Sequence, residues 1–162
     1  MSSMDTMNFS THYAICALLA RSDAILDSND LASWPDLFIT QGEYRLQSRE
    51  NFDSGWALSV MHLTSQGMLR DRIYAVQETL YHDPYSQRHI CGAPQFDAVS
   101  DQRIEVASNF LVIRTQLGKL PQTLAVGRYS DVLVKIDGTW KFAKRHAVFD
   151  NDVLPNSVIK PI

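Results

Sequence analysis

The sequence predicts an α+β fold, with helices gathered toward the N-terminus and a long antiparallel meander toward the C-terminus. Three observations predict it. Residues 10–28 carry apolar side chains at helical spacing. Three β-rich runs, 102–116, 121–136 and 139–149, fill most of the C-terminal part. Asp137–Gly138 joins the last two, and Asp-Gly between such runs is the strongest short-range hairpin signal. Long strands that curl around the helices would make a cone.

The elements follow in order. In 10–28, Ile15, Leu18, Leu19, Ile25 and Leu26 share one face, and Ser10 or Thr11 can cap the start. Asp30 opens a short second helix through Trp34 and Pro35 to Phe38. Over 42–48, Tyr44 and Leu46 alternate with Glu43, Arg45 and Gln47, as in a half-buried strand. A further strand is expected over 56–62. Residues 65–80 return to helix, with Leu69, Ile73, Val76 and Leu80 on one stripe and Arg70, Asp71 and Arg72 outside it. A strand over 87–99 bends at Gly92–Ala93–Pro94, since proline cannot donate to a ladder. In 102–116, Ile104, Val106, Phe110 and Val112 lie on one face, yet Ala107, Leu111 and Ile113 on the other are also apolar. A sheet face in water should be polar, so something covers it, such as another subunit. The apolar tail 158–162 would likewise be out of place in water.

At 162 residues the chain is one domain, 1–162, of ordinary size. Its 45% hydrophobic and 20% charged residues fit a folded protein. A net charge of −3 disfavours nucleic acid and anionic membranes as partners. No apolar run reaches the roughly 18 residues of a membrane span. Cys16 and Cys91 alone, with no recognisable leader, suggest a reduced, cytoplasmic setting. Arginine outnumbers lysine ten to five, a mild sign of charge spent on contacts.

The chemistry-bearing motifs are few. There is no phosphate loop, GxSxG, HExxH or CxxC. Neither cysteine has a histidine partner at Rieske spacing. His82, Asp83 and His89 hold the atoms of an iron facial triad but straddle an Asp-Pro turn and a strand start. The stretch 81–90 can gather Tyr81, His82, Asp83, Arg88 and His89 at the mouth of a cone, where a His–Asp pair would act as acid and base. The plainer reading makes Asp83–Pro84 a turn and turns Arg88 and His89 toward neighbouring chains. In 144–150, alternation separates Lys144, His146 and Val148 from Arg145, Ala147 and Phe149. A His146 pointing into the cone would be a candidate base. Trp56, Trp140, Phe96 and Phe142 read as core aromatics.

The segments WPDLFITQGEYRLQSREN (34–51), MLRDRIYAVQETLYHDPYSQRHICGAP (68–94) and DGTWKFAKRHAVFDND (137–152) resemble the small, or beta, subunit of aromatic-ring-hydroxylating oxygenases. The resemblance spans nearly the whole chain and is nearest to the small subunits of salicylate 5-hydroxylase and terephthalate dioxygenase. It implies a nuclear transport factor 2-like (cystatin-like) cone, a curved antiparallel sheet wrapped around N-terminal helices. It implies a large subunit that carries a Rieske 2Fe–2S cluster and a mononuclear iron. Three large and three small subunits would assemble, with the small ones associating as a trimer. A reductase would feed electrons from NAD(P)H through a ferredoxin or a fused equivalent. The chain itself would hold no cofactor, metal or catalytic residue. It would be a structural subunit of an oxygenase acting on a salicylate-like aromatic carboxylate in aromatic catabolism. Arg88, His89, Arg145 and Ile162 in the tail are the expected contact residues. The alternative is a free-standing isomerase or dehydratase of the same cone fold, with His82, Asp83, His89 or His146 as acid and base.

Overall fold

The computed structural model of the chain describes residues 7–28, 30–79, 84–155 and 158–162. Helix α1 (Phe9–Asp27) buries Ile15, Leu18, Ser22 and Leu26, while Leu19 and Ile25 flank that stripe half-buried. Its cap is Asn8 rather than Ser10 or Thr11: the Asn8 side chain accepts from the Thr11 N–H at 2.8 Å. The second helix shrinks to a single 3-10 turn, Trp34–Leu37, with Pro35 near its start. The Trp34 indole N–H donates to the buried Ser22 hydroxyl at 3.0 Å, which satisfies both groups.

Strand β1 (Phe38–Ser48) starts earlier than its alternating stretch, because Phe38 also packs inward. Ser48 caps a short helix, α2 (Arg49–Asp53). The strand expected over 56–62 contracts to β2 (Met61–Leu63). The Gln47 amide takes the Trp56 and Leu58 carbonyls, so this loop bonds to a side chain instead of a ladder. Trp56 stands exposed here rather than in the core. Helix α3 (Gln66–Tyr74) buries Leu69 and Ile73 and runs into a π turn, Ala75–Thr79. Leu80 lies outside the described residues.

The predicted bend splits one strand into two, β3 (Ser86–Cys91) and β4 (Gln95–Val99). Then come β5 (Arg103–Thr115), β6 (Gln122–Ile136) and β7 (Thr139–Phe149). Asp137 and Gly138 turn between the last two with φ of 49° and 79°, the left-handed pair of a type I′ hairpin.

The sheet order is β2-β1-β7-β6-β5-β3, with β4 also on β5. Among the described residues every pairing is antiparallel but one: β1 runs parallel to β7, so the sheet is mixed. Parallel neighbours need a long crossover, and here all the chain from β2 to β6 supplies it. Where the sheet curls, Gly127 is obligatory, since a Cβ there would lie 2.0 Å from the Val148 carbonyl oxygen. The sheet wraps α1 and the 3-10 turn. Trp34 meets Phe38 and Tyr44 edge-on at 5.0 and 5.2 Å. On β5, Ile104, Val106, Phe110 and Val112 face inward as predicted. On the outer face, Ile90, Leu111 and Val126 stand side by side across three strands, and Ile90 and Val126 are exposed.

Candidate functional site

The inward face holds buried charge on β6 and β7. On β6 and β7, Asp131 pairs directly across from Arg145. Both are 1% exposed. The Arg145 guanidinium donates to Asp23 of α1 at 3.1 Å and lies 3.6 Å from the Asp131 carboxylate. Its plane sits 3.8 Å over the Tyr129 ring and 5.0 Å from that of Phe142, so rings supply attraction where hydrogen bonds do not. Burial pushes the Asp131 carboxyl up to about 7 against the pull of Arg145. Burial also works against the Arg145 charge, but Asp131, Tyr129 and Asp23 outweigh it and hold the guanidinium protonated. Burial raises the Tyr129 phenol well above its usual value.

A second pair stands beside the first. Asp27, at the end of α1, accepts from the His89 ring Nδ1 at 2.6 Å and from the His89 backbone N–H at 2.9 Å. The pair therefore ties the helix to the free edge of β3. The His89 Nε2 is buried without a hydrogen-bond partner. Cys91, two residues on, is a free, solvent-exposed cysteine, and desolvation of its thiol followed by the nearby Asp23 carboxylate pushes it up to about 12. Such a thiol is a poor metal ligand and a poor nucleophile at neutral pH. With the His89 Nδ1 spent on Asp27, these donors do not fit an iron–sulfur cluster. Among the described residues no group of three His, Cys, Asp or Glu is placed to hold a metal.

The outer face carries a different network. Glu43 lies 2.9 Å from His62, 3.3 Å from Arg45 and 3.8 Å from Lys144. Burial works against its charge, yet Lys144, His62 and Arg45 together lower its carboxyl below the usual range. His146 belongs to this face. It hydrogen-bonds Gln47 at 2.9 Å and packs edge-on against Phe52 at 5.1 Å. Burial, then Lys144 and Arg45, push it down to about 4.

Several expectations are corrected by this geometry. His146 does not point into the cone. The alternation on β7 is real, but a bulge between Phe142 and Lys144 shifts its phase, so Trp140 and Phe142 face in and then Arg145, Ala147 and Phe149. Arg145, expected at a neighbouring chain, is locked inside the cone, and the His89 side chain is fully buried on Asp27 of α1. Ile162 is buried as well, on Tyr44. Arg88 keeps an exposed side chain, 3.8 Å from Asp27. His82 and Asp83 lie outside the described residues. Arg70 pairs with Asp36 of the same chain, and Arg72 reaches the Val158 carbonyl. Of the expected core aromatics, Trp140 and Phe142 are buried and Phe96 packs half-buried against the core.

The residues not foreseen are Asp23, Asp27, Tyr129 and Asp131. A signal for three of them was present. Asp131 sits two residues from Leu133 and Tyr129, on the inward register of β6, and Asp23 and Asp27 are one helical turn apart beside the apolar stripe.

A family model described as SnoaL-like domain matches residues 8–146. The small subunit of anthranilate 1,2-dioxygenase from Burkholderia cepacia is 26% identical over 157 residues, covering 97% of this chain and 98% of its own. Subunit beta 2 of the terminal oxygenase component of terephthalate 1,2-dioxygenase, from a Comamonas species, is 29% identical over 91% of this chain and 96% of its own. Among solved structures, a beta subunit assigned to an aromatic-ring-hydroxylating dioxygenase of Novosphingobium aromaticivorans superposes with a TM-score of 0.86. It is 26% identical and covers 94% of this chain and 97% of its own.

Proposed function

The chain belongs to the SnoaL-like domain family, with the nuclear transport factor 2-like cone anticipated from its motifs, and we propose that it is the small subunit of an aromatic-ring-hydroxylating oxygenase. The observation that carries this reading is the end-to-end likeness to curated small subunits, 97% of one chain against 98% of the other. The finer assignment follows from the motifs: an aromatic carboxylate such as salicylate as substrate of the complex, and a cytoplasmic oxygenase fed from NAD(P)H through a reductase and ferredoxin. The Rieske cluster and mononuclear iron belong, in this reading, to a large subunit, with three large and three small subunits assembled.

The chain's own contribution is then mechanical. Electron transfer falls steeply with distance, so a ring of large subunits has to keep each cluster near the neighbouring iron. A trimer of small subunits can set that spacing through obligate interfaces of roughly 2,000 Å² or more. Arg88 and the outer apolar row of Ile90, Leu111 and Val126 are the contact residues this reading assigns. A free-standing isomerase or dehydratase is not favoured, since the full-length relatives are oxygenase subunits. Among the described residues the His–Asp pair for such chemistry would be Asp27 and His89, and both already bond main chain or each other.

The test is co-expression of the tagged chain with the large subunit encoded beside it. Co-purification as one hetero-oligomer with ring-hydroxylating activity is expected. A His89→Ala variant that still assembles should keep full turnover. A chain that purifies alone while hydroxylation proceeds without it overturns the assignment. Loss of turnover by His89→Ala with assembly intact overturns the non-catalytic role.

A further inference from the structure

The segment Val158–Ile162 lies inside the protein, and what holds it is not a ladder but side chains from three distant elements. The Tyr44 hydroxyl of β1 donates to the Ile162 main-chain oxygen at 2.8 Å and accepts from the Ile162 N–H at 2.9 Å. The Gln87 amide of β3 donates to the Pro161 carbonyl at 3.2 Å and, with the same nitrogen, to the Leu26 carbonyl at the end of α1 at 2.9 Å. Arg72 of α3 donates to the Val158 carbonyl at 3.3 Å. Lys160 reaches back to the Tyr85 carbonyl at 3.3 Å and lies over the Tyr85 ring. Tyr44 is 0% and Gln87 2% exposed. Val158, Ile159 and Ile162 are buried, with Val158 and Ile162 joining the main core.

We infer that the mouth of the cone is a peptide-binding site, built from Tyr44, Gln87 and Arg72 for a short apolar segment and occupied in cis by Val158–Ile162. Three features carry this. The site reads main chain: four backbone groups of the segment meet three side chains, which is how a groove holds a peptide rather than how a core packs a side chain. The apolar anchors flank a half-buried lysine whose ammonium is held on the Tyr85 carbonyl, so the segment buries its apolar side chains while its one charge finds a polar partner. The residue that holds the end of the segment, Tyr44, also borders the charged interior, since Arg145 and Asp131 both act on its phenol. This inference does not depend on the oxygenase reading.

The experiment uses the chain with residues 158–162 deleted and the acetylated peptide Val-Ile-Lys-Pro-Ile. The deleted chain should bind the peptide in isothermal titration and regain thermal stability with it, whereas a scrambled peptide should do neither. The intact chain should bind the same peptide at least tenfold more weakly, since its site is filled. A folded deleted chain that ignores the peptide overturns the inference, and so does equal binding by the intact chain. Should the deletion prevent folding, Tyr44→Phe in the intact chain decides. It removes the hydroxyl that serves both Ile162 groups, so amide hydrogen exchange over 158–162 should quicken roughly tenfold while exchange in the strands is unchanged. Unaltered exchange in that segment overturns the inference.

Discussion

Arg145 and Lys144 are neighbours in sequence and occupy opposite faces of the same strand. Arg145 sits among Asp131, Asp23 and two aromatic rings at 1% side-chain exposure. Lys144 meets Glu43 across 3.8 Å with 41% of its side chain in water. Each makes a cation–carboxylate pair, yet the two pairs differ in what their loss would do. A buried charge stripped of its partner keeps the full desolvation penalty, whereas an exposed one is rehydrated. The comparison teaches that the inward network is an all-or-none unit, and the outward one is a set of small, separable contacts.

The largest expected effect breaks the inner unit. Arg145→Met leaves Asp23 and Asp131 facing each other without a cation, and should cost about 3–5 kcal/mol in urea unfolding. Removing the charges together sharpens the point. The double variant Arg145→Met/Asp131→Leu should recover most of that loss, because an apolar replacement of a whole buried pair is often neutral or stabilising. A double variant no more stable than the single one would mean that the pair is not the source of the cost.

The next prediction sets the two faces against each other in pH. Asp131 is raised in the folded chain to about 7 from an ordinary 3.8, so the folded state holds the extra proton and stability falls as pH rises between those values. The charged and titratable groups facing it are Arg145, Asp23, Tyr129 and Tyr44. His146 is lowered to about 4 from 6.5, so the unfolded state holds the extra proton and stability rises with pH over that range. The two slopes oppose. Asp131→Asn should leave a net rise of stability between about pH 4 and 6.5, and His146→Gln a net fall, both read from unfolding midpoints across pH. The same slope in both variants would show that one of these groups is not titrating in the folded chain as described.

The smallest effect lies outside. Glu43→Gln should cost roughly 0–1 kcal/mol, and 1 M salt should shrink the difference further. A loss comparable to that of Arg145→Met would erase the distinction between the faces.

Much of the architecture was legible because local signals agree with it. The stripe of Ile15, Leu18 and Leu26 marks α1. The alternation of Ile104, Val106, Phe110 and Val112 marks β5, and Asp137–Gly138 marks the last hairpin. The candidate site was less legible. Alternation on β7 divided its residues correctly into two sets but could not say which set faced in. One bulged residue after Phe142 reverses the phase, and nothing short-range in that stretch announces a bulge. For the same reason His146 read as a candidate base and Arg145 as a contact residue. The 56–62 stretch failed differently: Gln47, a side chain from β1, captured the backbone that a strand would have used.

Sequence alone determined the helix-then-meander order, the family likeness and the apolar character of the last five residues, because these rest on spacing within one segment or on motifs read directly. Tertiary structure alone decided that β1 and β7 run parallel, that Arg145 is clamped by Asp131 and Asp23, and that Tyr44 receives Ile162. Each of these joins residues far apart in the chain. Such contacts gain their free energy only once the intervening segments have folded and excluded water, so no window along the sequence carries their signature.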